Sequence, residues 1–203
     1  MNPPVPLFGV SQFSTWPWTF EQDVENYARL GVKAIKVCQF KLDEARARGI
    51  CWRAGRSRRL EPLNPILMMD TFLCTLPGAM EIVTAVDSSN FGIFVDVWHI
   101  RADAKAEQDI EECGDKIFGV HLNDWHRPRH FGNRASIGQG QINFAPLLRA
   151  LHASGYQGAY TLEIFSSEHL PGSLWKSDLS ALIETNKTAF KNAWRQAFTE
   201  EFN

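Results

Sequence analysis

Gly92-Ile-Phe-Val-Asp96 and Ile117-Phe-Gly-Val-His-Leu122 are the runs on which the fold turns. Each is short, nearly unbroken in apolar character, and holds at or near its C-terminal end a group that can titrate or ligate. A strand covered on both faces reads as such a run, and two of them separated by a helix-length segment imply βα units around a parallel sheet.

Working outward, the same alternation continues in both directions. Upstream, Leu7 to Phe13 reads as a strand, and Thr19 and Gln22 stand in capping-box spacing at the head of a helix that Gly31 ends. Phe20, Val24, Tyr27 and Leu30 recur within it at helical intervals. Lys33 to Gln39 is the next strand, followed by a short charged helix around Asp43 to Arg48, and Arg58 to Leu63 is another strand. Thr75 to Val86 is a helix leading into the Gly92 strand. Downstream, Phe144 to Ala153, closed by Gly155, leads into a strand from Ala159 to Ile164, and a last helix covers Ser177 to Phe198. Six strands are visible, and the expected fold is α/β, a barrel of parallel strands with its helices outside.

The bulk numbers narrow the class. A chain of 203 residues suits one domain spanning residues 1–203. Charged residues make up 22% and the net charge is −2, so no excess of either sign draws nucleic acid or a membrane surface, and the expected partner is a small molecule. Cys38, Cys51, Cys74 and Cys113 are far apart, which fits reduced thiols rather than a zinc ribbon or a disulfide framework. The N-terminus has no basic, long apolar leader and no apolar run reaches about 18 residues, so a cytoplasmic location is expected.

In a parallel barrel, catalytic groups come from the C-terminal ends of different strands, because those ends open on one face. Here that rule selects Glu61, then Asp96 and His99, then His121 and Asp124, then Glu163. From Glu61 to Asp96, His121 and Glu163 the steps are 35, 25 and 42 residues, about one βα repeat each. Glu61, Asp96, His121 and Glu163 together make a set of hard donors suited to Mn²⁺ or Mg²⁺, with Co²⁺ or Zn²⁺ as alternatives. Three carboxylates brought together would raise one another's pKa, and a cation relieves that repulsion. Trp16 and Trp18 follow the first strand, where they could wall a sugar pocket or simply pack. Ile137-Gly-Gln-Gly140 reads equally as a phosphate-binding turn and as a plain loop; His126 and His130 read as solvated loop residues.

Leu60-Glu-Pro-Leu-Asn64, Asp96-Val-Trp-His99, His121-Leu-Asn-Asp124, Ile137-Gly-Gln-Gly140 and Leu162-Glu-Ile-Phe165 occur in that order. This ordered set resembles the C-terminal half of the sugar phosphate isomerase/epimerase family, the xylose isomerase-like barrels, including ketose 3-epimerases and inosose dehydratases. The resemblance implies that Glu61 and Glu163 bind metal and also act as the acid/base pair, and that Asp96 and His121 complete the ligands. It implies further that His99 and Arg127 bind substrate. The implied reaction is proton transfer next to a carbonyl through a metal-bound enediolate, giving isomerisation or epimerisation of a sugar or sugar phosphate, or dehydration in an inosose-type variant.

An endonuclease IV-type reading shares the fold but needs more metal-ligating residues: Asn133-Arg134-Ala135 carries none where that family has an Asp and a His. Length sets a second expectation. An eight-unit barrel takes about 250 residues. Residues 1–42 resemble the first two βα units and residues 58–203 the fifth to eighth, yet only the 17 residues from Asp43 to Arg59 lie between residue 42 and the Leu60-Glu-Pro-Leu-Asn64 motif of the fifth strand. The third and fourth units do not fit in that span, so an incomplete barrel of about six strands is expected, with open edges that favour self-association and with reduced or absent turnover.

Overall fold

The computed structural model of the chain describes residues 2–49, 58–67, 71–101, 103–127 and 130–199. In chain order these form β1 (Phe8–Ser11), α1 (Phe20–Arg29), β2 (Ala34–Lys36), α2 (Gln39–Ala47), β3 (Arg58–Leu60), α3 (Leu76–Val86), β4 (Phe91–Asp96) and α4 (Val97–Ile100). They continue with α5 (Ala106–Cys113), β5 (Ile117–Leu122), β6 (Asp124–Trp125), β7 (Arg134–Ala135), α6 (Phe144–Ala153), β8 (Tyr160–Leu162) and α7 (Leu179–Thr199).

Six strands form one sheet in the order β2-β1-β8-β5-β4-β3, and every neighbouring pair is parallel. The sheet curls into an incomplete barrel whose two edges are β2 and β3. The short hairpin β6–β7 is antiparallel and stands apart. β4 and β5 are buried along almost their whole length, which is why they read as apolar runs without alternation. Helices α3, α5, α6 and α7 lie against the sheet through Leu76, Ile110, Leu147 and Ile183, all in the one large core.

Local chemistry sets most boundaries. Thr19 and Gln22 form the capping box of α1 in both directions, and Gly31 adopts φ +63° just past its end. Thr75 caps α3 by accepting from the Gly78 N–H, and Gly155 with φ +83° closes α6. β3 stops at Leu60, short of the expected Leu63, because Pro62 has no N–H to continue a ladder. The strands expected at Leu7 to Phe13, Lys33 to Gln39 and Ala159 to Ile164 are likewise trimmed to their hydrogen-bonded centres, although the Glu163 N–H still donates to the Leu122 carbonyl at 3.0 Å.

Two expectations need correction. α2 begins at Gln39 rather than near Asp43, because Lys41 and Leu42 are buried against α1, a contact that the charged pattern of the segment does not reveal. His99 does not end a strand. It sits in the single turn α4, which begins where Asp96 Oδ1 accepts the Trp98 N–H at 2.8 Å. Cys51 and residues 53–57 of the basic stretch lie outside the described residues. Cys38, Cys74 and Cys113 are free thiols, the first and last of them buried.

Candidate metal centre

Glu61 directly follows β3, Asp96 ends β4, His121 is the penultimate residue of β5 and Glu163 directly follows β8. Parallel strands in register bring these positions to the same rim. Asp96 is paired with His121, and His121 with Thr161, two residues before Glu163. One ligating atom from each of the four lies within 4.8 Å of the other three. Asp96, His121 and Glu163 are buried and Glu61 is half-buried. No second group of this kind occurs among the described residues.

The imidazole defines the centre. His121 Nδ1 lies 3.2 Å from Glu61 Oε1, 3.2 Å from Glu163 Oε2 and 3.5 Å from Asp96 Oδ2. One ring nitrogen carries at most one proton, so three carboxylate oxygens converge on a point where a single N–H cannot satisfy them. A divalent ion among these four atoms would answer all of them, and the donor set of three oxygens and one nitrogen fits such an ion. The Phe94 ring holds the imidazole from one side at 4.0 Å between centroids, and Gly119, lacking a side chain, leaves room for that ring. His121 Nε2 is buried without a hydrogen-bond partner.

Asp96 and Glu163 each spend one oxygen on the scaffold and turn the other toward the centre. Asp96 Oδ1 accepts from Trp98 N and from Asn123 Nδ2 at 3.2 Å, which leaves Oδ2 inward. Glu163 Oε1 accepts from Ser11 Oγ at 3.0 Å and Lys36 Nζ at 2.8 Å, which leaves Oε2 inward.

Charge follows this geometry. Burial alone would raise the Asp96 carboxyl, but Arg134, His99 and His121 outweigh it and hold the group well below the usual range. Burial likewise opposes ionisation of Glu61, yet His121 and Lys36 leave its pKa lowered. For His121, burial disfavours the charged ring, while Glu163, Glu61 and the hydrogen bond to Asp96 carry its pKa above the ordinary value.

His99 lines the same cavity of about 340 Å³. Its Nδ1 accepts the Asn64 N–H at 2.9 Å, so the neutral ring carries its proton on Nε2, close to the Arg134 guanidinium at 3.4 Å. Two donors facing one another form no bond, and the carboxylate oxygen facing Nε2, Asp96 Oδ2, is 3.8 Å away, beyond hydrogen-bond reach. Burial, the largest influence, lowers the pKa of His99 and keeps it neutral.

Arg127 is elsewhere. It is exposed, its Nε donates to Gln141 at 2.8 Å, and it does not line this cavity. The guanidinium that does so belongs to Arg134, which is 1% exposed. It reaches Asp96 Oδ2 at 2.8 Å and Glu163 Oε2 at 3.5 Å and stacks against Trp98, Phe131 and Phe165. Counting six residues on from His121 selects Arg127, but the loop between β6 and β7 carries the chain out and back, so spacing along it does not say which arginine returns. The available signal was Arg134 standing three residues before the Ile137-Gly-Gln-Gly140 turn.

Asp124 is also structural, its carboxylate accepting the N–H groups of Gly140, Gln141 and Ile142. Trp16 stacks on Phe13 and Trp175, Trp18 packs toward Tyr27, and neither Trp16 nor Trp18 is among the residues lining this cavity. His126 and His130 are exposed.

An open barrel of parallel strands with a carboxylate and imidazole cluster at their C-terminal ends defines the class of protein. The chain belongs to the xylose isomerase-like TIM barrel family, whose model matches residues 59–185. It is 35% identical over 100 residues to an inosose isomerase of Halalkalibacterium halodurans, covering 47% of this chain and 36% of that protein. It is 29% identical over 124 residues to an L-ribulose 3-epimerase of Mesorhizobium japonicum, covering 61% and 39%. The chain thus matches little more than a third of the length of either relative. Among solved structures, the IOLI protein with a bound zinc atom superposes with a TM-score of 0.75 at 17% identity, over 95% of this chain and 99% of that one, a likeness of fold.

Proposed function

We propose that this protein is a divalent-metal-dependent isomerase or epimerase of a sugar or sugar phosphate, acting by proton transfer through an enediolate. The observation that carries this reading is the convergence of Glu61, Asp96, His121 and Glu163, from four separate strands, within 4.8 Å. Relatives named as an inosose isomerase and a ribulose 3-epimerase support it. A bound Mn²⁺ or Mg²⁺, or alternatively Co²⁺ or Zn²⁺, would polarise a carbonyl and fix the substrate oxygens beside it.

The chain's own residues do the rest. Glu163 and Glu61 are the acid/base pair, one removing the proton next to the carbonyl and the other returning it. The Nε2–H of His99 donates to a substrate oxygen. Arg134 places fixed positive charge where negative charge develops on the enediolate oxygens, and it needs no reorganisation because three aromatic rings hold it. Phe13, Phe131 and Phe165 wall the cavity and limit water.

Residues 1–42 are read as the first two βα units of the family and residues 58–203 as the fifth to eighth. A barrel open between β2 and β3 favours a second reading, in which the missing wall leaves a catalytically weak or inactive relative that still binds metal. Incubation with several ketoses in D₂O with Mn²⁺ separates the two. Deuterium entering the carbon beside the carbonyl, and stopping with EDTA, supports the enzyme; metal binding without exchange supports the weak or inactive relative. Turnover without solvent deuterium would replace the enediolate by hydride transfer.

A further inference from the structure

Lys36 has no part in the reaction just described, yet it lines the same cavity. It ends β2, an open edge of the sheet, and its Nζ lies 2.8 Å from Glu163 Oε1 and 5.0 Å from the centre of the Phe94 ring. Its side chain is 26% exposed. An ammonium has three N–H donors, and Glu163 takes one. The group therefore reaches the site with donors to spare and a path to solvent.

The charges do not close around a neutral ligand. Glu61, Asp96 and Glu163 contribute three negative charges, and Lys36 and Arg134 return two. A divalent ion adds two more. His121 is neutral as a ligand and His99 is neutral because its Nδ1 accepts a hydrogen bond. The loaded site then holds one net positive charge in a cavity walled by phenylalanines, where uncompensated charge is costly.

We propose that the substrate carries one carboxylate, and that Lys36 is the residue that binds it, so that this chain acts on a keto sugar acid rather than on a neutral ketose. The inference deepens the isomerase reading and rests on the cluster holding a divalent ion. A phosphate is the poorer match. Phosphate sites draw on backbone N–H groups of glycine turns and helix starts. The glycine turn considered for that role, Ile137 to Gly140, lines a different cavity through Ile137, Gly138 and Gln139, and the Gly140 and Gln141 N–H groups are already taken by Asp124.

Calorimetric titration of the Mn²⁺-loaded protein with D-fructose, D-fructuronate and D-fructose 6-phosphate tests this, since the three differ only at C6. Fructuronate is expected to bind at least about tenfold tighter than fructose, the scale of one charge-assisted hydrogen bond. Lys36→Met should abolish that preference and Lys36→Arg should retain it. Equal affinities, a preference that survives Lys36→Met, or no binding of any of the three would overturn the proposal. Tighter binding of the phosphate than of fructuronate would overturn the choice of carboxylate. The isomerase reading fails separately: fructuronate would bind with the Lys36-dependent preference and no proton at carbon would exchange with solvent.

Discussion

Glu163 is tied to Ser11 and Lys36 through one oxygen and aims the other at the cluster, and the carbonyl oxygen of an amide at that place can still accept both hydrogen bonds. Glu163→Gln should therefore keep substrate affinity within about tenfold while turnover falls by about 10²-fold or more, the usual size of a general acid/base contribution. Equal losses of binding and turnover would assign it a purely structural role. Cys113 offers a pH test away from the site. Burial first, then Asp109 and Glu112, push its thiol up to about 12. A folded-state pKa above the unfolded one means that the native protein holds the proton more tightly, so this group's stabilisation is intact below about pH 9 and is lost as pH rises toward 12. Urea unfolding between pH 8.5 and 10.5 should show a falling midpoint, flattened in Cys113→Ala. Native iodoacetamide labelling at pH 9, read by peptide mass, should reach the partly exposed Cys74 before Cys113.

At the scale of elements, α2 and the β2 edge are held by a buried polar network beside the small apolar cluster of Phe20, Leu42 and Ala45. Asp23 accepts from Gln12, Thr15 and Lys41 at 2.9, 2.6 and 2.7 Å, and Lys41 Nζ also donates to the Thr15 carbonyl at 2.8 Å. Gln12 in turn accepts the Cys38 N–H at the start of α2. Removing one partner of a buried ion pair leaves an uncompensated charge and costs about 3–5 kcal/mol. Lys41→Met should thus lower the urea midpoint markedly, and adding Asp23→Asn should recover part of the loss. An unchanged midpoint in the single variant would show that the pair carries no weight. A capping box and glycine stops made α1 and α6 legible in the sequence, because those signals are local. The start of α2 was not legible, because Lys41 is helical there through a partner 18 residues away.

For the whole molecule, the cluster joins β3, β4, β5 and β8, so an ion bound there ties an edge strand to the centre of the sheet. A ligand at 100 times its Kd stabilises by about 2.7 kcal/mol, worth about 5–10 °C in Tm for a chain of this size. Mn²⁺ should raise Tm by that amount, EDTA should reverse it, and Asp96→Ala should remove the response. Among the described residues β2 and β3 are each paired on one side only, and such edges should also make the protein associate as concentration rises, which sedimentation would detect; a monomer at every concentration would mean that those edges are protected. The sequence by itself determined the parallel α/β plan, the shortage of strands and the four residues at the strand ends. Apolar runs, turn signals and repeat spacing are local or periodic properties, readable one segment at a time. Only the tertiary structure decided that Arg134 and not Arg127 faces the cluster, that His99 arrives on a helical turn, and that Lys36 crosses from the open edge to Glu163. Those placements depend on where loops return and which side chains meet across the barrel, and no spacing along the chain encodes that.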